Sequence, residues 1–422
     1  MDLLLNNVLL DDPQSELNGS VVNILVRAGQ ITSIGTSEIP CDGKIIDLKG
    51  VSVSPGWMDI GVQAGEPGYE HREDFVSLAK AASAGGFTAI ACLPNVNPVM
   101  DNKAAISYLK KNSLGLGVHF FPIGAVSEGA NGGDITEMMD MTYHGAVAFS
   151  DGEMSIQHSG LMLRALLYCK SFGGLIINQP NDYTLSENGQ LNEGVQAVSL
   201  GMKGIPALAE ELMIQRDISL LDYADSRLHI AYVSTKGGVE MIRAAKSQGL
   251  NITASVAGIN LLLDDTVVDG VNTNYKVMPP LRTKEDIEAL QKGLLDGTID
   301  CIASNHVPRE EETKKLEFPY ASFGAIGLQT TFSAVCTGLG KQVQAMSWAN
   351  CLAIHPRKIL GIQGVSIQKG QQANMTFFDI EKEWTVKEED LFSKSKNSPF
   401  LGKKMKGKVL GILLGENLML RL

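Results

Sequence analysis

Side chains able to ligate a metal, carry a proton or attack a carbonyl include 47 Asp and Glu, 7 His and 6 Cys, and the cysteines are scattered. The six cysteines (Cys41, Cys92, Cys169, Cys301, Cys336, Cys351) form no CxxC pair, so neither a zinc ribbon nor a disulfide framework is indicated. Asp151 in AFSDG and His306 in IASNHVP each follow a short apolar run. A carboxylate and an imidazole are types that hold zinc or move protons. Two such donors fall short of the three protein ligands that a catalytic zinc normally takes. Asn305, beside His306, is an amide without useful proton affinity near neutral pH and cannot serve as a base.

The elements that must position these residues alternate along the middle of the chain. FTAIACLP is followed by KAAISYLKK, GVHFFPIGAV by DITEMMDMTYH, and GAVAFS by SGLMLRALLYCKSFG. GLIINQ, LHIAYVS with GGVEMIRAAKSQG, NITASV and TIDCIASNH continue the pattern. About eight strands, several followed by a helix, point to a (β/α)8 barrel, in which chemistry sits where strands end. The first fifty residues and the last fifty are β-rich instead (LLLNNVLL, VVNILVRAGQITSIG and KIIDLKG; ANMTFFDI, EWTVK and GKVLGILLGENLML). Each end is too small to bury a core alone, so the two are expected to pair into one sheet domain. The fold class is therefore α/β: a TIM-type barrel over 55–364 with a small composite β domain from 1–54 and 365–422.

Composition limits the function classes. With 422 residues, 44% of them hydrophobic and 20% charged, the chain has ample material for a large core. Thirty-six Lys and Arg against 47 Asp and Glu give a net charge of −11, which argues against a general nucleic-acid binder but not against small anionic ligands. The start, MDLLLNNVLLDDP, has no basic n-region and carries acids early, unlike a signal peptide. No window of about 18 apolar residues exists, so no membrane span is expected. A reducing cytoplasm is the expected location.

The segment SPGWMDIGVQAGEPGYEHREDFVSLAKAASAGGFTAIACLPNVNPVMDN resembles the dihydroorotases and related cyclic amidohydrolases of the amidohydrolase superfamily. The resemblance runs on, in order, through LNEGVQAVSLGMKGIPALAEELMIQRDI, LHIAYVSTKGG, YKVMPPLRTKEDIEAL, GTIDCIASNHVP and SKSKNSPFLGKKMKGKV, covering nearly the whole chain. It implies a metal-dependent barrel with a small β domain built from both termini. It also implies one or two zinc ions, which lower the pKa of a bound water, and an aspartate that accepts its proton.

The residues at the matching positions depart from that pattern. The family's His-x-His pair and the arginine after it correspond to Gly61, Gln63 and Gly65, while Glu66-Pro67-Gly68 just beyond is intact. Asp151 keeps an acidic ligand position. Expected histidines are replaced by Asn178 and Tyr232, and a proline-histidine-histidine stretch reads Ala257-Gly258-Ile259-Asn260. The catalytic aspartate position holds Asn305, with His306 kept, and the asparagine before Pro279-Pro280 is Met278. Asn95, in a loop that contacts substrate in the family, is retained. The resemblance thus leads to a degenerate site (Gly61, Gln63, Gly65, Asp151, Asn178, Tyr232, Asn305, His306), with no zinc or other cofactor and Asn95 as the one carried-over substrate contact.

Two readings of function follow. In the first, the chain is a non-catalytic dihydroorotase-like protein of pyrimidine biosynthesis with a structural or regulatory role. It then resembles the ligand-deficient partners that hold some bacterial aspartate transcarbamoylases together, and large apolar patches on the barrel exterior are required. In the second, it is an active cyclic-amide hydrolase or a ligand-binding protein with an atypical site. That reading requires Asp151, His306, Asn95, Gln63 and Tyr232 to converge on one pocket. A homodimer is expected because family members are commonly dimers. Structural roles are expected for the rest: Asp151 held by backbone hydrogen bonds, His306 orienting a loop, His229 buried in a strand, and His71 at a helix start. Arg282 braces a loop before a helix that Thr283 caps with Asp286, and Lys394, Lys396, Lys403 and Lys404 form a solvated face.

Overall fold

Runs such as WMDIGV and FTAIAC are apolar on both alternating faces, the pattern of strands covered on each side. In the computed structural model, which describes residues 2–421, every residue of Trp57–Val62 and Phe87–Cys92 is buried. These are barrel strands β1 and β2. Six more follow: β3 (His119–Gly124), β4 (Ala148–Phe149), β5 (Ile176–Asn178), β6 (Leu228–Ile230), β7 (Ile252–Ala257) and β8 (Cys301–Ala303). All neighbours are parallel, in the order β1 to β8. β1 and β8 are held together by the Ser304 N–H, which donates to the Asp59 carboxylate at 3.1 and 3.2 Å, and by the Gln63 N–H on the His306 carbonyl at 3.1 Å.

A helix follows each strand: Phe75–Ala84, Lys103–Asn112, Met138–His144, Ser159–Lys170, Ala207–Ala224, Lys236–Ser247, Lys284–Leu295 and Thr331–Leu339. Several start where the sequence supplies a cap. Asn102 accepts the N–H groups of Ala104 and Ala105, and Asp74 and Thr283 each form a capping box with the residue three positions on.

The two ends of the chain meet as expected. The strands Leu3–Leu10, Val21–Arg27, Gln30–Gly35, Lys44–Asp47 and Ser52–Pro55 share one sheet with Asn374–Thr385, Lys404–Leu414 and Asn417–Leu420. The join between the ends is antiparallel, with Val53 opposite Phe377. Leu5, Ile24, Val53, Phe377 and Leu413 belong to its core. The run VVNILVRAGQITSIG is two strands, because Ala28 and Gly29 both take positive φ and turn the chain. ANMTFFDI and EWTVK are one continuous strand of 12 residues. Trp57 locks this sheet to the barrel, its ring 5.1 Å from Phe332 and 5.3 Å from Phe378. Among the described residues no helix is long and apolar enough to cross a membrane.

Candidate functional site

The carboxyl ends of β1, β5, β6 and β8 surround a cavity of about 450 Å3. Three residues there have backbones in the left-handed region: Gly61 (φ 104°), Tyr232 (φ 56°) and Asn305 (φ 48°). For a bulky tyrosine this is a strained conformation, and such strain clusters at functional sites. The strain at Tyr232 goes with a specific bond. The Tyr232 hydroxyl donates to the Gly61 carbonyl across the barrel. A Cβ at position 61 would lie 2.5 Å from that hydroxyl oxygen, so the tyrosine occupies the space a β1 side chain would need. Burial pushes the phenol pKa well above its ordinary value, so it remains a donor. At Gly65 the chain has closed in as well: a Cβ would lie 2.3 Å from the Glu73 carbonyl oxygen.

Gln63, Tyr232 and Asn305 line the cavity. The Asn305 amide donates to the Met278 carbonyl at 2.9 Å. Gln63 is 6% exposed and its Nε2 has no hydrogen-bond partner among the described residues. Asp151, His306 and Asn95 are not among the lining residues, so the five-residue convergence required by the second reading does not form. Each of these three is bound elsewhere. Asp151 accepts the N–H groups of Val126 and Ser127, both at 2.9 Å, and the Ser127 hydroxyl at 2.6 Å. Burial raises its pKa against the pull of these bonds. The two amide ends of Asn95 hold the Asp151 carbonyl and the Glu153 N–H, bracing the loop after β4. His306 Nδ1 accepts the Gly327 N–H at 3.2 Å, and Nε2 faces Glu73 at 3.4 Å. Glu73 in turn accepts the hydroxyls of Ser77 and Ser393. Asn178 accepts the Ile156 N–H and donates to Asp217 at 2.6 Å, so it too is spent on scaffolding.

Sequence reading missed Gln179, Asn181, Glu153 and Arg309, which also line the cavity. The first two lie in the same INQPND run as Asn178, and Arg309 lies just after NHVP. Arg309 pairs with Glu153 and donates through Nε to the Phe323 carbonyl at 2.9 Å, joining the loops after β4 and β8. Among the described residues no group of three or more His, Cys, Asp or Glu side chains is placed to hold a metal ion.

Outside the cavity, His229 is fully buried between the hydroxyls of Thr253 and Ser255, at 2.9 and 3.0 Å. His71 is exposed. Arg282 is buried and braces its loop through Asn192, the Ile205 carbonyl and Ser234, with Glu210 at 3.9 Å. The solvated lysine face is only partly realised. Lys394 and Lys404 pair at the surface with Asp74 and Glu383, but Lys396 is tied to the carbonyls of Leu391 and Ser393, and Lys403 lies over the Tyr275 ring.

The fold is that of the cyclic-amide hydrolase barrels. It matches L-hydantoinase (dihydropyrimidinase) of Arthrobacter aurescens with a TM-score of 0.87, covering all of this chain and 96% of that one at 23% identity. It matches dihydropyrimidinase of Brevibacillus agri with a TM-score of 0.84, covering 100% and 95% at 20% identity. Residues 50–238 match the family model described as dihydro-orotase-like. A dihydroorotase of Geotalea daltonii is 40% identical over 410 residues, 96% of each chain, and one of Geobacter metallireducens is 40% identical over 418 residues, 98% of each. The chain belongs to the dihydroorotase-like family of cyclic amidohydrolases, within the amidohydrolase superfamily.

Proposed function

We propose that this is a dihydroorotase-like protein of pyrimidine biosynthesis that has lost its metal ligands and catalytic base. It serves a structural or regulatory role, with aspartate transcarbamoylase as its partner. The observation that carries this reading is the bond from the Tyr232 hydroxyl to the Gly61 carbonyl, which fills the place of a β1 side chain. The donor set does not fit zinc. Gly61 has no side chain, carboxamides stand at Gln63, Asn178 and Asn305, and the Asp151 carboxylate is engaged by Val126 and Ser127. Exposed apolar side chains support a docking role. Val195 and Val198 share one face of the helix Val195–Ser199 and are 87% and 81% exposed. Gln196 ties that helix to Val268, in the segment that leads to Val271, itself 80% exposed. The assembly in this reading is a cytoplasmic homodimer that binds no nucleic acid.

A second reading is an active cyclic-amide hydrolase with an atypical site. The names of the relatives favour it, as does the open cavity. Glu153 is the one carboxylate among the lining residues and would have to supply the base. Elemental analysis of protein purified without chelator, with a dihydroorotate cyclisation assay on the same sample, separates the two. Absence of zinc and of turnover is the expected result. Stoichiometric metal or measurable turnover overturns the non-catalytic reading.

A further inference from the structure

At the opposite end of the barrel, where β2 and β3 begin, lies a second cavity of about 310 Å3. Arg357, His119, Asn374, Gln371, Gln372 and Gly364 are among its lining residues, and no Asp or Glu is, although the chain has 47 of them. Arg357 stands on the helix His355–Leu360 and is 3% exposed. Its Nη1 donates to the Gly56 and Ala353 carbonyls at 2.7 and 2.9 Å, and its Nη2 reaches the Thr88 hydroxyl at 3.4 Å. A guanidinium has five N–H groups, so part of this one is left without a protein acceptor among the described residues.

The charge is also unmatched. Arg282, buried to the same degree, has Glu210 at 3.9 Å. Arg357 has no carboxylate within ion-pair distance among the described residues, and burial alone pulls its pKa down to about 10. A buried cation without a counter-charge is costly. Beside it, Asn374 Oδ1 is a buried acceptor with no partner among the described residues. Asn374 Oδ1 and Thr88 Oγ1 converge on Gly56, where a Cβ would lie 1.9 and 2.3 Å from them, so both oxygens can pack against the backbone there only because residue 56 is glycine.

One ligand chemistry answers both deficits: an oxyanion for the guanidinium that also carries an O–H for the Asn374 oxygen. We propose that this cavity binds hydrogen phosphate or the phosphoryl group of a small phosphomonoester. The site is separate from the strand-end cavity and does not depend on how that cavity is read. A simple carboxylate meets the cation but has no proton for Asn374.

The test is a thermal-shift and calorimetric titration of the full chain in phosphate-free buffer at pH 7 and constant ionic strength. The probes are inorganic phosphate, glycerol phosphate, acetate and chloride. Phosphate is expected to stabilise the protein saturably, and acetate and chloride are not. Arg357→Met is expected to weaken phosphate binding at least tenfold. Gly364→Glu is the second variant, because a side chain at Gly364 meets no atom within 4 Å and its φ is not in the left-handed region. It places a carboxylate at the rim without disturbing the fold and is expected to weaken binding to a similar degree. Glycerol phosphate binding more tightly than phosphate identifies a phosphorylated metabolite as the ligand, and weaker or equal binding identifies free phosphate. No saturable phosphate response in the wild type, acetate matching phosphate, or wild-type affinity in folded Gly364→Glu overturns the proposal.

Discussion

The contact between Gly61 and Tyr232 predicts a measurable coupling. Gly61→Ala places a methyl group 2.5 Å from the Tyr232 hydroxyl oxygen, on a backbone with φ 104°. The left-handed conformation costs a non-glycine residue about 1–3 kcal/mol, and overpacking a closed core site costs about 1–3 kcal/mol more. Gly61→Ala is therefore expected to destabilise by about 3 kcal/mol. Tyr232→Phe leaves the Gly61 carbonyl without its donor, a loss of about 1–3 kcal/mol. In the phenylalanine background the nearest ring carbon is 3.5 Å from the added methyl, an ordinary contact, so only the backbone strain remains. The double variant is thus expected to be less destabilised than the sum of the singles by about 1–2 kcal/mol. Urea unfolding followed by both circular dichroism and tryptophan fluorescence measures all four corners of the cycle. Additivity within about 0.5 kcal/mol would refute the idea that the tyrosine hydroxyl is what excludes a side chain from position 61.

Two further predictions concern buried charge. Arg282→Met strips the cation from Glu210, which is 2% exposed and whose pKa is already raised by burial against the pull of Arg282 and Ser234. A loss of about 3 kcal/mol is expected, partly recovered by adding Glu210→Gln, and a loss under about 1 kcal/mol in thermal or urea unfolding would count against the network. Burial also lifts Asp59 from its ordinary 3.8 to about 6, with Ser304 and His306 pulling the other way. The folded protein therefore keeps a proton that the unfolded chain has released, and this group makes stability fall as pH rises from 3.8 through 6. His229 has the opposite sign. Burial lowers it from 6.5 to about 3, so its contribution is complete above pH 6.5 and is lost on acidification. Comparing the wild type with Asp59→Asn isolates the first effect: the difference should move against the wild type by about 1 kcal/mol between pH 5 and pH 7. A difference that is flat with pH would disprove the assignment.

Much of this protein was legible before folding was considered. Strands such as FTAIAC declare themselves because a barrel strand is covered on both faces and needs no polar side, and the Thr283–Asp286 capping box is a local contact three residues apart. That Gly61, Gln63, Asn178 and Asn305 offer neither a carboxylate nor an imidazole was equally legible, since an absent side chain or a carboxamide has the same chemistry in any fold. What the retained polar residues do was decided only by tertiary structure. Asp151 and His306 are of types that could serve a site, yet their partners are Ser127 and Gly327, 24 and 21 residues away. Glu73 accepts a hydroxyl from Ser393, 320 residues on. The wall formed by Arg309 and Glu153 joins residues 156 apart, and the Tyr232–Gly61 bond spans 171. Periodicity and capping depend on neighbours within a few positions, so they are written in the local order of residues. The direction of a side chain at a strand end depends on which distant groups the closed barrel brings within hydrogen-bond reach, and that is set only when the whole chain has folded.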